Sequence, residues 1–184
     1  MRIVAGKFRG KALNSPPDES IRPTADRVRE SVFNILSSRL GPNFDGLRVV
    51  DLFAGTGALG LEALSRGATN VVFVDTGADA RGLIRDHIEA FGAGGVAKLL
   101  RRDATNLGPA GTMGPVDLVF LDPPYGKGLG EQALASLQAG GWLSPDTVLV
   151  LEEGSDVTLN LPAGFALDDR REYGAAAVHF LSVT

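Results

Sequence analysis

An α/β fold with a mostly parallel sheet, covered by helices on both faces, is what this sequence predicts, and three observations carry it. Short runs of Val, Leu and Phe alternate with helical stretches between residues 48 and 151, the pattern of parallel strands joined by helical crossovers. The first run, Arg48-Val49-Val50-Asp51-Leu52, breaks at once into Phe53-Ala54-Gly55-Thr56-Gly57-Ala58-Leu59-Gly60, which reads as a buried strand, a tight turn and a helix start. Four predicted strands end in an aspartate: Asp51, Asp75, Asp103 and Asp122. Open sheets of this kind take their ligands at the carboxyl ends of the strands. A carboxylate there is costly unless paired or hydrogen-bonded. One alone could cap a turn, whereas four on one rim point to a site.

Taken in order, Arg2 to Leu13 alternates small, basic and apolar residues around two glycines and reads as a short hairpin projecting Lys7, Arg9 and Lys11. Asn14 to Ser20 is a Pro-rich loop, so residues 1–20 form an N-terminal extension and residues 21–184 the main domain. Pro23-Thr24-Ala25-Asp26 starts a helix with Thr24 as its N-cap; Val28, Val32, Ile35 and Leu36 are its apolar stripe. After the glycine loop, Leu59, Leu61, Ala63 and Leu64 make a crossover helix ended by Gly67. Val71–Val74 is a second strand, Ala78–Phe91 a helix, Val96–Leu100 a third strand and Val116–Leu121 a fourth. A helix over Leu129–Gln138, a strand over Thr147–Leu151 and an antiparallel pair, Ala166–Glu172 with Ala175–Ser182, complete the chain.

With 184 residues and 44% apolar composition, one well-buried core is expected. The absence of cysteine excludes disulfides, thiolate metal sites and cysteine nucleophiles, and two separated histidines give no metal cluster. No apolar run reaches membrane-spanning length and the N-terminus has no signal-type stretch, so a cytoplasmic protein is expected. The net charge of −4 taken whole disfavours nucleic acid, but residues 1–40 carry a net +4 and the remaining 144 a net −8. The basic part is local.

Glycines at 55, 57 and 60 permit close approach of a nucleotide-like cofactor, and Asp75, twenty residues after Gly55, is placed to hold ribose hydroxyls. Asp51 argues against a dinucleotide, because a carboxylate at the strand end would repel a pyrophosphate. It suits a cofactor carrying an ammonium group and no phosphate, which S-adenosylmethionine is.

Leu121-Asp122-Pro123-Pro124-Tyr125 is the most specific stretch. Two prolines fix the backbone and supply no N–H, so the turn offers carbonyl acceptors beside a carboxylate and an aromatic ring. That is an array for an exocyclic NH2: one hydrogen to Asp122, one to the Pro123 carbonyl, with Tyr125 stacked on the base. Two well-placed acceptors localise the nitrogen lone pair and stabilise the charge that grows on nitrogen as it attacks a methyl donor.

Asp-Leu-Phe-Ala-Gly-Thr-Gly followed by Leu-Asp-Pro-Pro-Tyr resembles the S-adenosylmethionine-dependent amino methyltransferases of nucleic acids. Arg2 to Leu13, the stretch R-P-T-A-D-R-V-R-E-S-V-F-N-I-L from Arg22, G-A-L-G-L-E-A-L-S-R-G-A from Gly57, Gly141-Trp142-Leu143 and Arg171-Glu172-Tyr173-Gly174 narrow it. Together they resemble the RsmD family of bacterial small-subunit ribosomal RNA guanine-N2 methyltransferases over nearly the whole chain. The resemblance implies a Rossmann-like class I methyltransferase with a seven-stranded sheet and an antiparallel last strand. It implies methyl transfer to N2 of one guanine, numbered 966, in 16S ribosomal RNA of the small subunit. By motif, Asp51, Phe53, Ala54, Gly55, Thr56 and Gly57 surround the methionine and ribose, Asp75 holds the ribose, and Asp103 with Ala104 meets the adenine. Asp122, Pro123, Pro124 and Tyr125 hold the target base. Two departures from the family are Asp75, where Glu is common, and His87, near which an Asn is frequent.

The basic residues Arg2, Lys7, Arg9, Lys11, Arg22, Arg27 and Arg29, with Thr24, form the expected RNA-docking surface. A monomer without metal is expected. The Asp-Pro-Pro-Tyr chemistry serves adenine N6 as well as guanine N2, so the residues alone leave the base open. A non-catalytic RNA-binding assembly factor and a nicotinamide dehydrogenase are the readings from other classes, the latter short of an acid or base for hydride chemistry.

Overall fold

A computed structural model describes residues 1–15 and 25–184. Its core is one seven-stranded sheet: β1 (Arg48–Leu52), β2 (Asn70–Val74), β3 (Ala97–Leu100), β4 (Val116–Leu121), β5 (Leu143–Gly154), β6 (Phe165–Tyr173) and β7 (Ala176–Val183). The strand order is β3-β2-β1-β4-β5-β7-β6. The first five strands pair in parallel, and β7 lies antiparallel to both β5 and β6. The predicted class, with its antiparallel last strand, is the observed one. β5 starts four residues earlier and ends three later than expected: alternation is lost at Ser144-Pro145-Asp146, yet the strand pairs with β4 from Leu143 and with β7 out to Gly154.

Helices α1 (Asp26–Leu40), α2 (Ala58–Ser65) and α3 (Ala78–Ala90) lie on one face and α4 (Leu129–Ala139) on the other. On the first face Val32, Phe33 and Leu36 of α1, Leu61 and Leu64 of α2, and Ile84 of α3 pack on Val49, Phe73 and Phe120. On the second, Ala133, Leu134 and Leu137 of α4 pack with Trp142 on Val50, Val119 and Leu149. Strands buried on both sides explain the continuous apolar runs. The N-cap of α1 is Ala25, without a side-chain cap, in place of the expected Thr24, which lies outside the described residues.

The N-terminal segment is a hairpin reduced to a single bridge, Arg2 with Ala12, closed by Ile3 N–H to Lys11 O and Gly10 N–H to Ile3 O. Ile3 and Leu13 are buried in the core of the first face. The arm is therefore packed onto the helices of the first face.

The strand order reverses between β1 and β4. The chain leaves β1 toward β2 and β3, then returns to the other side of β1 as β4, so the loops after β1 and β4 diverge and leave a crevice at their carboxyl ends. There the Asp122 N–H meets the Leu52 carbonyl at 3.4 Å, which joins the two most informative motifs of the sequence.

Candidate active site and nucleic-acid face

The loop after β1 turns on backbone values that most residues avoid. Phe53 has φ 54° and Gly57, the N-cap of α2, has φ 80°. A non-glycine residue in the left-handed region is uncommon, and such residues cluster at functional turns. Gly57 N–H closes the turn on the Ala54 carbonyl at 2.8 Å. Gly60 serves packing: a Cβ there would stand 2.4 Å from the Phe73 ring and 2.9 Å from Val71, so α2 can sit this low on the sheet only with glycine. Phe53, Ala54 and Gly55 are half-buried, whereas Thr56 and Gly57 are buried.

Asp51 is 1% exposed, and its Oδ2 accepts the Gly60 N–H at 2.9 Å. Burial pushes its pKa up to about 8; the Gly60 hydrogen bond opposes this and the charge of Asp75 adds to it. The expectation of a strand-end carboxylate open to a ligand is corrected here: Asp51 is buried and turned onto the Gly60 N–H of α2.

Asp75, at the end of β2, is half-buried. Its Oδ2 accepts Gly55 N–H at 2.9 Å and its Oδ1 accepts Gly77 N–H at 2.8 Å. The carboxylate fixes the glycine loop and the start of α3 at once, and each oxygen keeps a lone pair for a hydroxyl. Asp103 is exposed on the far side of the rim. Its Oδ1 takes both Thr105 donors, at 2.8 and 2.7 Å, and those bonds hold its pKa below the usual carboxylate range. The methyl of Ala104 lies in the core, so what Ala104 offers a ligand is backbone.

In the turn after β4, Pro123 is buried, Pro124 exposed, and Asp122 and Tyr125 half-buried. Two carboxylates of β5 hold this turn, and the sequence reading missed both. Glu153, 1% exposed, accepts Gly126 N–H and Gly154 N–H, each at 2.8 Å. Tyr125 Oη donates to Glu152 Oε2 at 3.1 Å. The signal was the Glu152-Glu153 pair ending an apolar run, the same strand-end position that singled out the four aspartates.

The basic residues divide. Arg2, Lys7, Arg9, Lys11 and Arg27 are exposed, with Lys7 and Lys11 5.0 and 5.6 Å from the Phe8 ring centroid. Arg22 and Thr24 lie outside the described residues. Arg29 is corrected: it is fully buried, its Nε bonds Glu62 at 3.2 Å, and its Nη2 bonds Asp26 at 3.0 Å and the Arg2 carbonyl. It belongs to the fold, because its place on α1 is one turn from Val32 and Phe33 on the packed face.

Its partner Glu62 is a buried hub. Besides Arg29 it accepts Val4 N–H at 2.9 Å, Ala5 N–H at 3.1 Å and Arg66 Nε at 2.9 Å. Ser65, one turn on, accepts Phe8 N–H at 2.9 Å and donates to the Ala5 carbonyl. The helix that starts at the glycine loop therefore also anchors the basic arm.

Among the described residues no group of His, Asp and Glu gathers as a metal site, and no helix is long and apolar enough to cross a membrane.

Comparison with known proteins gives the family and the fold. Residues 1–182 match the model of the family described as Conserved hypothetical protein 95. Ribosomal RNA small subunit methyltransferase D of Escherichia coli (strain K12) is 33% identical over 178 residues, covering 96% of this chain and 87% of that protein. The tRNA (guanine(6)-N2)-methyltransferase of Thermus thermophilus is 31% identical over 182 residues, 89% of this chain and 52% of that protein. The solved structure of yhhF from Escherichia coli superposes with a TM-score of 0.83 at 31% identity, over 100% of this chain and 97% of that one. The chain belongs to the Conserved hypothetical protein 95 family, the RsmD family that its motifs resemble.

Proposed function

We propose that this protein transfers a methyl group from S-adenosylmethionine to the exocyclic N2 of guanine 966 in 16S ribosomal RNA, acting as a monomer on the small subunit. The observation that carries the reading is the junction at the sheet reversal: the glycine loop with its two aspartates lies against the Asp-Pro-Pro-Tyr turn through the Leu52–Asp122 contact. Cofactor and base are then brought to one crevice from two sides.

In this reading Asp75 accepts the ribose hydroxyls, Oδ2 of Asp103 accepts the adenine amine, and the field of Asp51, ionised when the cofactor binds, favours the cofactor's ammonium. When bound, S-adenosylmethionine supplies an electrophilic methyl on sulfonium. Asp122 and the Pro123 carbonyl accept the two N2 hydrogens, Tyr125 stacks on the base, and Glu153 holds the turn in register while charge develops on nitrogen. A base in a folded RNA must leave its stack to reach this turn. The choice of guanine over adenine is supported by the relative whose name specifies guanine N2, and the small-subunit target by the relative whose name specifies small-subunit ribosomal RNA.

Nucleoside mass spectrometry of small subunits treated with the purified protein tests it. N2-methylguanosine is the expected product, and N6-methyladenosine alone would overturn the choice of base. Docking is assigned to Arg2, Lys7, Arg9, Lys11 and Arg27. Changing Lys7, Arg9 and Lys11 to Ala should flatten the log–log salt dependence of binding by about 0.7–0.9 for each phosphate no longer neutralised. An unchanged slope would move docking elsewhere.

A further inference from the structure

One imidazole touches both halves of the site. His87 on α3 is buried, with Nδ1 2.9 Å from the Thr56 carbonyl oxygen in the glycine loop and Nε2 2.9 Å from the Asn14 backbone nitrogen at the end of the N-terminal arm. A carbonyl can only accept and a backbone N–H can only donate. The ring is therefore neutral, with its proton on Nδ1 and its lone pair on Nε2. Burial, which holds its pKa below the usual histidine value, agrees with the neutral form. Asp86, beside it on α3, acts on the ring by its charge, and the Lys11 ammonium of the arm lies 5.3 Å from the Phe91 ring centroid. Phe91 in turn stands 6.3 Å from the His87 ring and 5.0 Å from Phe8.

We propose that His87 is a positioning residue that registers the basic N-terminal arm against the cofactor loop, so that RNA on the arm and cofactor in the loop tighten each other's binding. The inference rests on the reading that the arm docks RNA. Its physical basis is that one ring serves two bonds with a single proton. Donation at Nδ1 and acceptance at Nε2 polarise each other. A shift of either Asn14 or Thr56 must turn the ring or leave a buried polar group unpaired, which is unfavourable. Arm and loop therefore favour the same ring position. Glu62 and Ser65 also hold the arm, but they reach α2 beyond the loop; His87 bonds the loop itself.

Two variants separate the two bonds. In His87→Asn the amide reaches about as far as Nδ1 and can keep the Thr56 bond alone; in His87→Gln it reaches Nε2 and can keep the Asn14 bond alone. The measurement is equilibrium dialysis of S-adenosylhomocysteine with and without saturating unmethylated small subunits, with melting temperatures as the check on folding. The parent should bind S-adenosylhomocysteine about fivefold or more tighter in the presence of subunits. In both variants that factor should fall to near one, whatever their melting temperatures. Nitrogen-15 spectra of the parent should show His87 protonated on Nδ1. A parent without coupling, a factor that persists in both variants, or a ring protonated on Nε2 would each overturn the proposal. If the factor persists while the arm triple variant still flattens the salt slope, the link through His87 fails and the docking reading stands.

Discussion

Replacing Asp51 with Asn should make the cofactor-free protein more stable, by an amount that grows with pH. Asp51 is buried, and its pKa rises from 3.8 to about 8 on folding. Between those values the folded state binds a proton that the unfolded chain has released, so stability falls as pH rises, by about 1.4 kcal/mol per pH unit for one proton. The loss is absent below pH 3.8, is on the order of 4 kcal/mol at pH 7, and stops growing above about 8. Asn has no charge to bury, and its carbonyl can still accept the Gly60 N–H. The gap in unfolding free energy between variant and parent should therefore widen steadily from about pH 4 to about pH 8, measured by urea unfolding at half-unit pH steps. The histidines, whose lowered pKa values give the opposite slope, cancel in the difference. Parallel curves would show that the carboxyl is ionised in the folded protein and the argument from burial wrong. The same titration bears on cofactor binding, because an arriving ammonium favours the carboxylate: affinity should rise from pH 6 toward about 8, then fall as an α-amino group loses its proton near 7.7–8.0. In the Asn variant the rising limb should disappear.

Asp75→Ala should weaken S-adenosylmethionine roughly ten- to a hundredfold, since hydrogen bonds to a charged group contribute about 1.5–3 kcal/mol; unchanged affinity by calorimetry would remove Asp75 from the ribose. Tyr125→Phe should methylate slightly below the parent rate, because the hydroxyl bonds Glu152, whereas Tyr125→Ala should lose the roughly 1–3 kcal/mol of base stacking. Equal inactivity of the two in single-turnover assays would refute stacking. Asp122→Ala should lower single-turnover methylation at least about a hundredfold while cofactor affinity survives; a parallel loss of affinity would place Asp122 on the cofactor. Glu62→Ala should destabilise the fold by about 3–5 kcal/mol, the cost of leaving the buried Arg29 without its partner. A change under about 1 kcal/mol in urea unfolding would show that the hub contributes little.

How much of this was readable without coordinates depends on whether a residue's role is set by its own neighbours in the chain. The strands were legible because a sheet covered on both faces needs uninterrupted apolar runs, and Val116–Leu121 is one. The glycine loop was legible because its backbone demands are local: Gly57 needs φ 80° to start α2, and Gly60 needs the missing Cβ. The acceptor turn was legible because two prolines fix their own conformation. The direction of a charged side chain is set by what folds against it, and there sequence reasoning stopped. Arg27 and Arg29 stand two residues apart in the same basic cluster, yet the turn of α1 sends one to solvent and the other onto Glu62, 33 residues away. Asp51 read as one of four equal rim carboxylates, but the descent of α2 onto the sheet closed over it and raised its pKa. His87 and Glu62 carried no local signal that matched their roles, and Glu153 only its place at the end of an apolar run, because each serves backbone groups that only the folded chain brings together. Periodicity and turn chemistry determined the fold and the place of the candidate site; long-range hydrogen bonding alone decided which of its charges lie at the crevice and which hold the fold in shape.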